Sequence, residues 1–275
     1  MRAAAEARTR RKPAALALSV VLIFTGALIA RAAPEAIASS TMKPTIRPLP
    51  TGVKADYQLG GPSKPAKGVG IVARDRLAHP ARGVYNICYI NAYQTQPGAK
   101  KLWERHGKLV LRKGGKRVKD ADWNEYLLDI RTAKKRKALL RIVGPWIDRC
   151  ARDGFDAVEF DNLDSFTRSR GLLTTQQAKK YARLLVRRAH RAGLAAGQKN
   201  WSTLDGTRLG FDFAVAESCA RYRECGTYAK HYGGRVIDIE YRRVDFRRAC
   251  ADQRVRISIV LRDLALKPHG RRSWC

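Results

Sequence analysis

A chain of 275 residues, 45% hydrophobic, is long enough to bury a full core, and these figures exclude a disordered or fibrous protein. Lys and Arg outnumber Asp and Glu by 55 to 24, a formal charge of +31. The cations are spread along every segment and are not interleaved with aromatics in one patch. This argues against specific nucleic-acid recognition and for non-specific attachment to anionic surfaces such as a cell envelope.

Residues 1–12 carry Arg2, Arg8, Arg10, Arg11 and Lys12, and residues 14–30 are free of charge. Followed by Ala30-Arg31-Ala32, this is the form of a secretory signal peptide over residues 1–32, with a second small-x-small site at Ala36-Ile37-Ala38. A retained membrane anchor is the alternative, although the apolar run is short for one. Removing residues 1–32 takes away six cations and one anion and leaves +26. Residues 33–52 contain Pro34, Pro44, Pro48 and Pro50 among Ser and Thr, the composition of a disordered linker. Residues 53–275 are then expected to form a single domain.

Strand-like and helix-like segments alternate from there on. The candidate strands are Tyr57–Leu59, Val84–Asn91, Tyr126–Ile130, Ala157–Asp161, Leu194–Lys199, Phe211–Glu217, Val236–Tyr241 and Val255–Leu261. Between them Thr174-Thr175-Gln176-Gln177 reads as a capping box. Ala178, Tyr181, Ala182, Leu185 and Ala189 follow at helical spacing up to Gly193. Another helix runs to Arg152, with Pro145 in its first turn or inside a longer helix beginning near Lys134; shorter ones are expected at 99–106, 219–232 and 245–252. Eight such units predict an α/β fold of the (β/α)8 TIM-barrel type, irregular at the first unit and over 107–123, with a doubly wound sheet as the alternative.

The most informative stretch is Asp153 to Asp164. If Ala157–Asp161 is a strand, Ala157, Glu159 and Asp161 share one face and Val158 and Phe160 the other. Carboxylates on a strand that should be buried are costly, so they either neutralise Arg and Lys or carry chemistry. In a barrel, chemistry sits at the C-terminal strand ends. Those ends hold Asp129 with Arg131, then Glu159, Asp161 and Asn162. The later strands add Lys199 with Asn200, then Glu217, then Glu240 with Tyr241.

Asp161 and Glu217, on different strands, could flank one glycosidic bond, one carboxyl protonating the leaving oxygen and the other attacking or activating water. Glu217 ends the apolar run Phe213-Ala214-Val215-Ala216, so burial is expected to raise its pKa and suit it to proton donation. Glu159 is expected to lie deeper and to orient Lys199 or Arg131. Asn162, Lys199 and Asn200 are candidates for hydrogen bonds to sugar hydroxyls, and Tyr57, Tyr89 and Tyr241 for stacking on sugar rings.

Six cysteines in an exported chain allow three disulfides. Cys219 with Cys225 would staple one loop, and Cys250 with Cys275 would tie the tail to the last helix. Cys88 then either pairs with Cys150 or is a buried free thiol. The cysteine spacings and scattered histidines form no zinc set, so neither metal nor other cofactor is expected.

In order, Tyr57-Gln58-Leu59, Leu128-Asp129-Ile130-Arg131, Gly154 to Asn162, Gly197-Gln198-Lys199-Asn200, Phe211 to Cys219 with Glu224-Cys225, and Glu240-Tyr241 resemble glycoside hydrolase family 114. The resemblance spans about residues 55 to 245. It implies a (β/α)8 barrel, a secreted endo-α-1,4-polygalactosaminidase-like activity on galactosamine-containing polysaccharide, and Asp161 and Glu217 as the catalytic pair. Phe160, Ala216 and Ser218 depart from the family's Pro, Asn and Gln beside those carboxylates. A galactosamine polymer is polycationic and would be repelled by the charge of the chain as a whole. An acidic rim of Asp129, Glu159, Asp161, Asp164, Glu217 and Glu240 is expected to offset this locally. A monomer acting on polysaccharide is expected, and a non-catalytic glycan- or envelope-binding barrel is the alternative.

Overall fold

The structure, a computed structural model, describes residues 45–252 and 256–275. The expected signal peptide and the expected linker as far as residue 44 lie outside them. Eight strands run parallel in chain order: β1 (Lys54–Gln58), β2 (Val69–Asp75), β3 (Tyr85–Asn91), β4 (Ala157–Asp161), β5 (Ala195–Lys199), β6 (Phe213–Glu217), β7 (Val236–Glu240) and β8 (Ser258–Arg262). A ninth, β9 (Arg272–Trp274), pairs antiparallel with β8. The helices are α1 (Lys100–Arg105), α2 (Ala133–Asp153), α3 (Thr175–Arg191), α4 (Cys219–Tyr222), α5 (Cys225–Tyr232) and α6 (Arg243–Ala251).

The sheet is an irregular, nearly closed barrel. No ladder joins β1 to β8 among the described residues; side chains bridge them instead. Arg262 donates to the Tyr57 carbonyl and to Asp56, Ser258 Oγ donates to the Val53 carbonyl at 2.7 Å, and Trp274 Nε1 to the Ala55 carbonyl at 2.7 Å. Arg262 is fully buried and faces the equally buried Asp56, so the seam rests on a paired and hydrogen-bonded charge. Such a pair is tolerated only while both partners remain.

One expected strand is corrected. Tyr126–Ile130 does not enter the barrel; only Glu125–Tyr126 forms a short strand, antiparallel to Lys119–Asp120. Leu127, Leu128 and Ile130 are buried in the layer outside the barrel, an apolar run that periodicity alone cannot tell from a core strand. The place in the barrel belongs to β2, whose Val69-Gly70-Ile71-Val72 run is absent from the expected strands. The count of eight therefore stands with one member exchanged.

Two cores follow from strand alternation. Tyr57, Ile87, Ala157, Ala195, Phe213, Val215 and Ile239 fill the barrel, whereas Cys88, Val158, Phe160, Leu139, Tyr181 and Leu185 pack between strands and helices. Gly197 is needed inside, because a Cβ there would come within 2.5 Å of the Phe213 ring. The capping box at α3 is complete, with Thr174 accepting from the Gln177 main chain and Gln177 from that of Thr174. Pro145 lies inside α2, which starts at Ala133, so the longer helix is the one formed.

The three disulfides are Cys88–Cys150, Cys219–Cys225 and Cys250–Cys275. The first fastens β3 to α2 and resolves the open question about Cys88. Three disulfides are a feature of extracellular proteins. No helix among the described residues is long and apolar enough to cross a membrane. Leu49, within the stretch read as linker, is 3% exposed, and the Tyr85 hydroxyl donates to the Arg47 carbonyl, so these last residues before β1 pack on the barrel without regular structure.

Candidate active site

The polar ends of β3, β4, β5 and β6 meet in one cavity of about 400 Å³. The register places Tyr89 beside Glu159 and Asn91 beside Asp161, and it sets Lys199 beside Val215, one turn of the pleat below Glu217. The residues that leave these strands are left-handed without being glycine: Asn162 (φ 64°), Asn200 (φ 52°) and Ser218 (φ 60°). Asn tolerates this conformation better than most residues. Backbone strain gathered at three adjacent strand ends is a mark of a functional rim.

Lys199 is the hub. Its side chain is 2% exposed, and Nζ lies 2.9 Å from a Glu217 oxygen and 3.5 Å from an Asp161 oxygen. Burial opposes its charge, but Asp161, Glu217 and Glu159 around it raise its pKa above the ordinary lysine range. Asp161 accepts from the Tyr89 hydroxyl at 2.7 Å and from the Asn162 main chain at 2.8 Å.

Glu217 accepts from Asn200 Nδ2 at 3.3 Å and from the Tyr241 hydroxyl, and its own N–H donates to Asn200 Oδ1 at 2.9 Å. Its pKa corrects the expectation from sequence. Burial does push it up, but Lys199, Tyr241 and Asn200 together hold it below the usual carboxylate range. The apolar run before Glu217 was visible; the cation reaching it from β5 was not.

Beneath this layer Glu159 is fully buried and accepts from the Tyr57 hydroxyl at 2.7 Å. Burial raises its pKa to about 8, against the opposing pull of Lys199 and Tyr57. Neither Glu159 nor Tyr57 lines the cavity, whereas Tyr89, Asn162, Lys199, Asn200 and Tyr241 do.

Asp129, Arg131 and Glu240 do not line it either. Because residues 126–130 are not a barrel strand, Asp129 ends up just before α2, where it accepts from Arg131 at 2.7 and 2.9 Å and pairs with Lys135. Burial would raise its pKa, but those two cations hold it below the ordinary range. Glu240 points outward from β7, accepting from the Ala220 N–H at 2.8 Å, while Asp238 accepts from the Cys219 N–H at 3.2 Å. The expected acidic rim thus keeps Asp161, Asp164 and Glu217.

Other acids take the vacated places. Asp120, Asp122 and Glu125, with Trp123, come from the hairpin that pairs Lys119–Asp120 with Glu125–Tyr126, and all four line the cavity. Strands of two residues have no periodicity to read, and the acid-aromatic-amide-acid order Asp122-Trp123-Asn124-Glu125 is the available signal. Arg168 ties this hairpin to the β4 end: Nε lies 2.8 Å from Asp120, and Nη2 donates to Asp164 at 2.9 Å and to Asn162 at 3.1 Å. Six carboxylates and two cations, Lys199 and Arg168, line the cavity of a strongly basic chain.

A larger cavity of about 1100 Å³ lies among α4, α5, α6 and β8, lined by Ala220, Ile257 and Ile259 with Arg223, Lys230 and Arg248. It holds none of the strand-end carboxylates. The one group of possible metal ligands among the described residues, Cys219, Cys225 and Asp238, contains the two sulfurs of a disulfide, which leaves one carboxylate to offer.

The model of glycoside-hydrolase family GH114 matches residues 32–275. Among solved structures, Ega3 of Aspergillus fumigatus in complex with galactosamine is 23% identical, with a TM-score of 0.68 over 84% of this chain and 98% of that one. The glycoside hydrolase domain of PelA from Pseudomonas aeruginosa is 16% identical, with a TM-score of 0.56 over 79% of this chain and 97% of that one. At these identities the two structures speak for the barrel fold. No curated protein sequence matches the chain.

Proposed function

The chain belongs to glycoside hydrolase family GH114, and on that premise we propose that it is a secreted, monomeric hydrolase that cuts galactosamine-containing, α-1,4-linked polysaccharide with Asp161 and Glu217 as its catalytic carboxyls. The observation that carries this reading is the single ammonium of Lys199 in contact with both carboxylates in one cavity. Residues 1–32 serve as a cleaved signal peptide, in keeping with the three disulfides.

Because Lys199 Nζ lies 3.5 Å from one Asp161 oxygen and 2.9 Å from one Glu217 oxygen, those oxygens are at most about 6.4 Å apart. That is below the roughly 6.5 to 9.5 Å that inverting enzymes leave for a water, and within reach of the roughly 5 to 5.5 Å of retaining ones. We therefore favour retention. One carboxylate attacks the anomeric carbon while the other group, as the protonated carboxylic acid, gives its proton to the departing glycosidic oxygen; water then cleaves the glycosyl ester, losing its proton to that second group, now a carboxylate acting as base. In the free protein Lys199, Tyr241 and Asn200 hold the Glu217 pKa below the usual carboxylate range, which favours its ionised form.

The acidic lining favours a cationic chain in spite of the basic body, since exposed charges beyond roughly 10 Å are screened at moderate salt while the cavity charges are not. Mass spectrometry of products from galactosamine polymer, its acetylated form and acidic polysaccharides tests the reading. Oligosaccharides should appear with the natural protein and vanish with Asp161→Asn and with Glu217→Gln. Intact polymer throughout, together with tight binding, would overturn it in favour of a glycan-binding barrel.

A further inference from the structure

The hairpin over 119–126 is built as a support. Its Glu125 accepts from Asn91 Nδ2 at 2.8 Å, Asn91 in turn accepts from Asn162 Nδ2 at 3.1 Å, and Asp120 accepts from Gln94 at 3.0 Å as well as facing Arg168. Asp120 and Glu125 are both buried. The hairpin is therefore bonded at its base to Asn162 and the segment that follows the Asp161 end of β4, and its tip is held at a fixed place on the cavity wall.

That tip is Asp122-Trp123-Asn124. Trp123 is 62% exposed and lines the cavity. An indole of this size left open to water on a rigid support, in a protein that buries Trp103, calls for an occupant. The neighbouring carboxylate is equally distinctive. Lys199 engages Asp161 and Glu217, Arg168 engages Asp120 and Asp164, and Asn91 engages Glu125. The Asp122 side chain, exposed at the same wall, has no hydrogen-bond or ion-pair partner among the described residues.

We propose that Asp122 and Trp123 form an additional sugar subsite, apart from the catalytic carboxylates, that selects a unit with a free, protonated 2-amino group. This deepens the hydrolase reading and rests on it. The indole face stacks on the apolar face of a pyranose ring, which any hexosamine offers, and the Asp122 carboxylate pairs with the ammonium, which an acetylated unit lacks. The two groups divide the work, so affinity comes from Trp123 and discrimination from Asp122.

The test is calorimetric titration of galactosamine hexamer and its fully acetylated counterpart into the full chain carrying Glu217→Gln, alone and with Trp123→Ala or Asp122→Asn added. Trp123→Ala should weaken both ligands by about tenfold, the scale of a lost aromatic contact. Asp122→Asn should weaken the free-amine hexamer alone and reduce its salt dependence. If the hexamer binds the parent and neither substitution changes its affinity, the subsite is refuted while the hydrolase reading stands. If neither hexamer binds the parent, both readings fall.

Discussion

Asn200 holds Glu217 from two sides, accepting its main-chain N–H at 2.9 Å and donating to its carboxylate at 3.3 Å. It does so from a left-handed backbone at φ 52°. The chain accepts local strain in order to fix one carboxyl. Asn200→Gly keeps the backbone geometry and removes the two side-chain bonds, so it should fold normally while kcat falls by one to two orders of magnitude, in the manner of a lost positioning group. A rise in KM alone, with kcat unchanged, would show that Asn200 meets substrate and does not position Glu217.

Lys199→Met removes the cation among three carboxylates. Breaking a buried pair by deleting one partner costs roughly 3 to 5 kcal/mol, and Glu217 then loses the main influence holding its pKa down. Denaturant unfolding should show a loss on that scale. Adding Glu217→Gln, which takes away the stranded carboxylate that Lys199 faced at 2.9 Å, should recover part of it.

The pH dependence of stability has a definite sign. Glu159 has a folded pKa of about 8, above its ordinary value of 4.5, so between those values the folded state holds a proton the unfolded chain releases. Its contribution is complete below about pH 4.5 and fades as pH rises toward 8. Burial raises Asp238 and Glu240 as well, in the same sense, whereas the lowered Glu217 acts oppositely, its contribution fading as pH falls below its ordinary range. The melting temperature should decline between about pH 5 and 8, and Glu159→Gln should flatten that slope. An unchanged slope would mean that Glu159 is ionised in the folded protein.

The Cys88–Cys150 bridge closes a loop of 62 residues. Chain-entropy reasoning gives it a stabilisation of about 4 kcal/mol, more than the six-residue Cys219–Cys225 loop can supply. Replacing Cys88 and Cys150 together by Ala should lower unfolding stability by a comparable amount and spare catalysis. Removing Cys219 and Cys225 should cost less stability but lower kcat, because α4 and its disulfide follow directly on Glu217.

Much of this was legible in the residues. The alternation in Ala157-Val158-Glu159-Phe160-Asp161 placed Glu159 and Asp161 inside the barrel and Phe160 among the helices, because a strand's two faces leave no other choice once Val158 and Phe160 must be buried. The capping box at Thr174 was readable for a similar reason, being a purely local exchange of hydrogen bonds. What escaped was through-space. Asp129 looked like a strand-end acid until Arg131 and Lys135 claimed it. The Asp120–Glu125 hairpin entered the cavity through Arg168 and Asn91, partners more than thirty positions away in the case of Asn91 and Glu125.

The side-chain seam between β1 and β8 carries a further consequence, for the order in which the chain can fold. Arg262 reaches the Tyr57 carbonyl across 205 residues, and Trp274 reaches Ala55 across 219. Contacts of that span form slowly, after the local units have condensed. As the chain folds, β1 therefore presents an uncovered edge until the side chains of β8 and β9 arrive, and an open edge is where strands of neighbouring molecules add. Residues 258–275, the last eighteen, thus act as a latch, and the interval before it closes is when the protein is most exposed to misassembly.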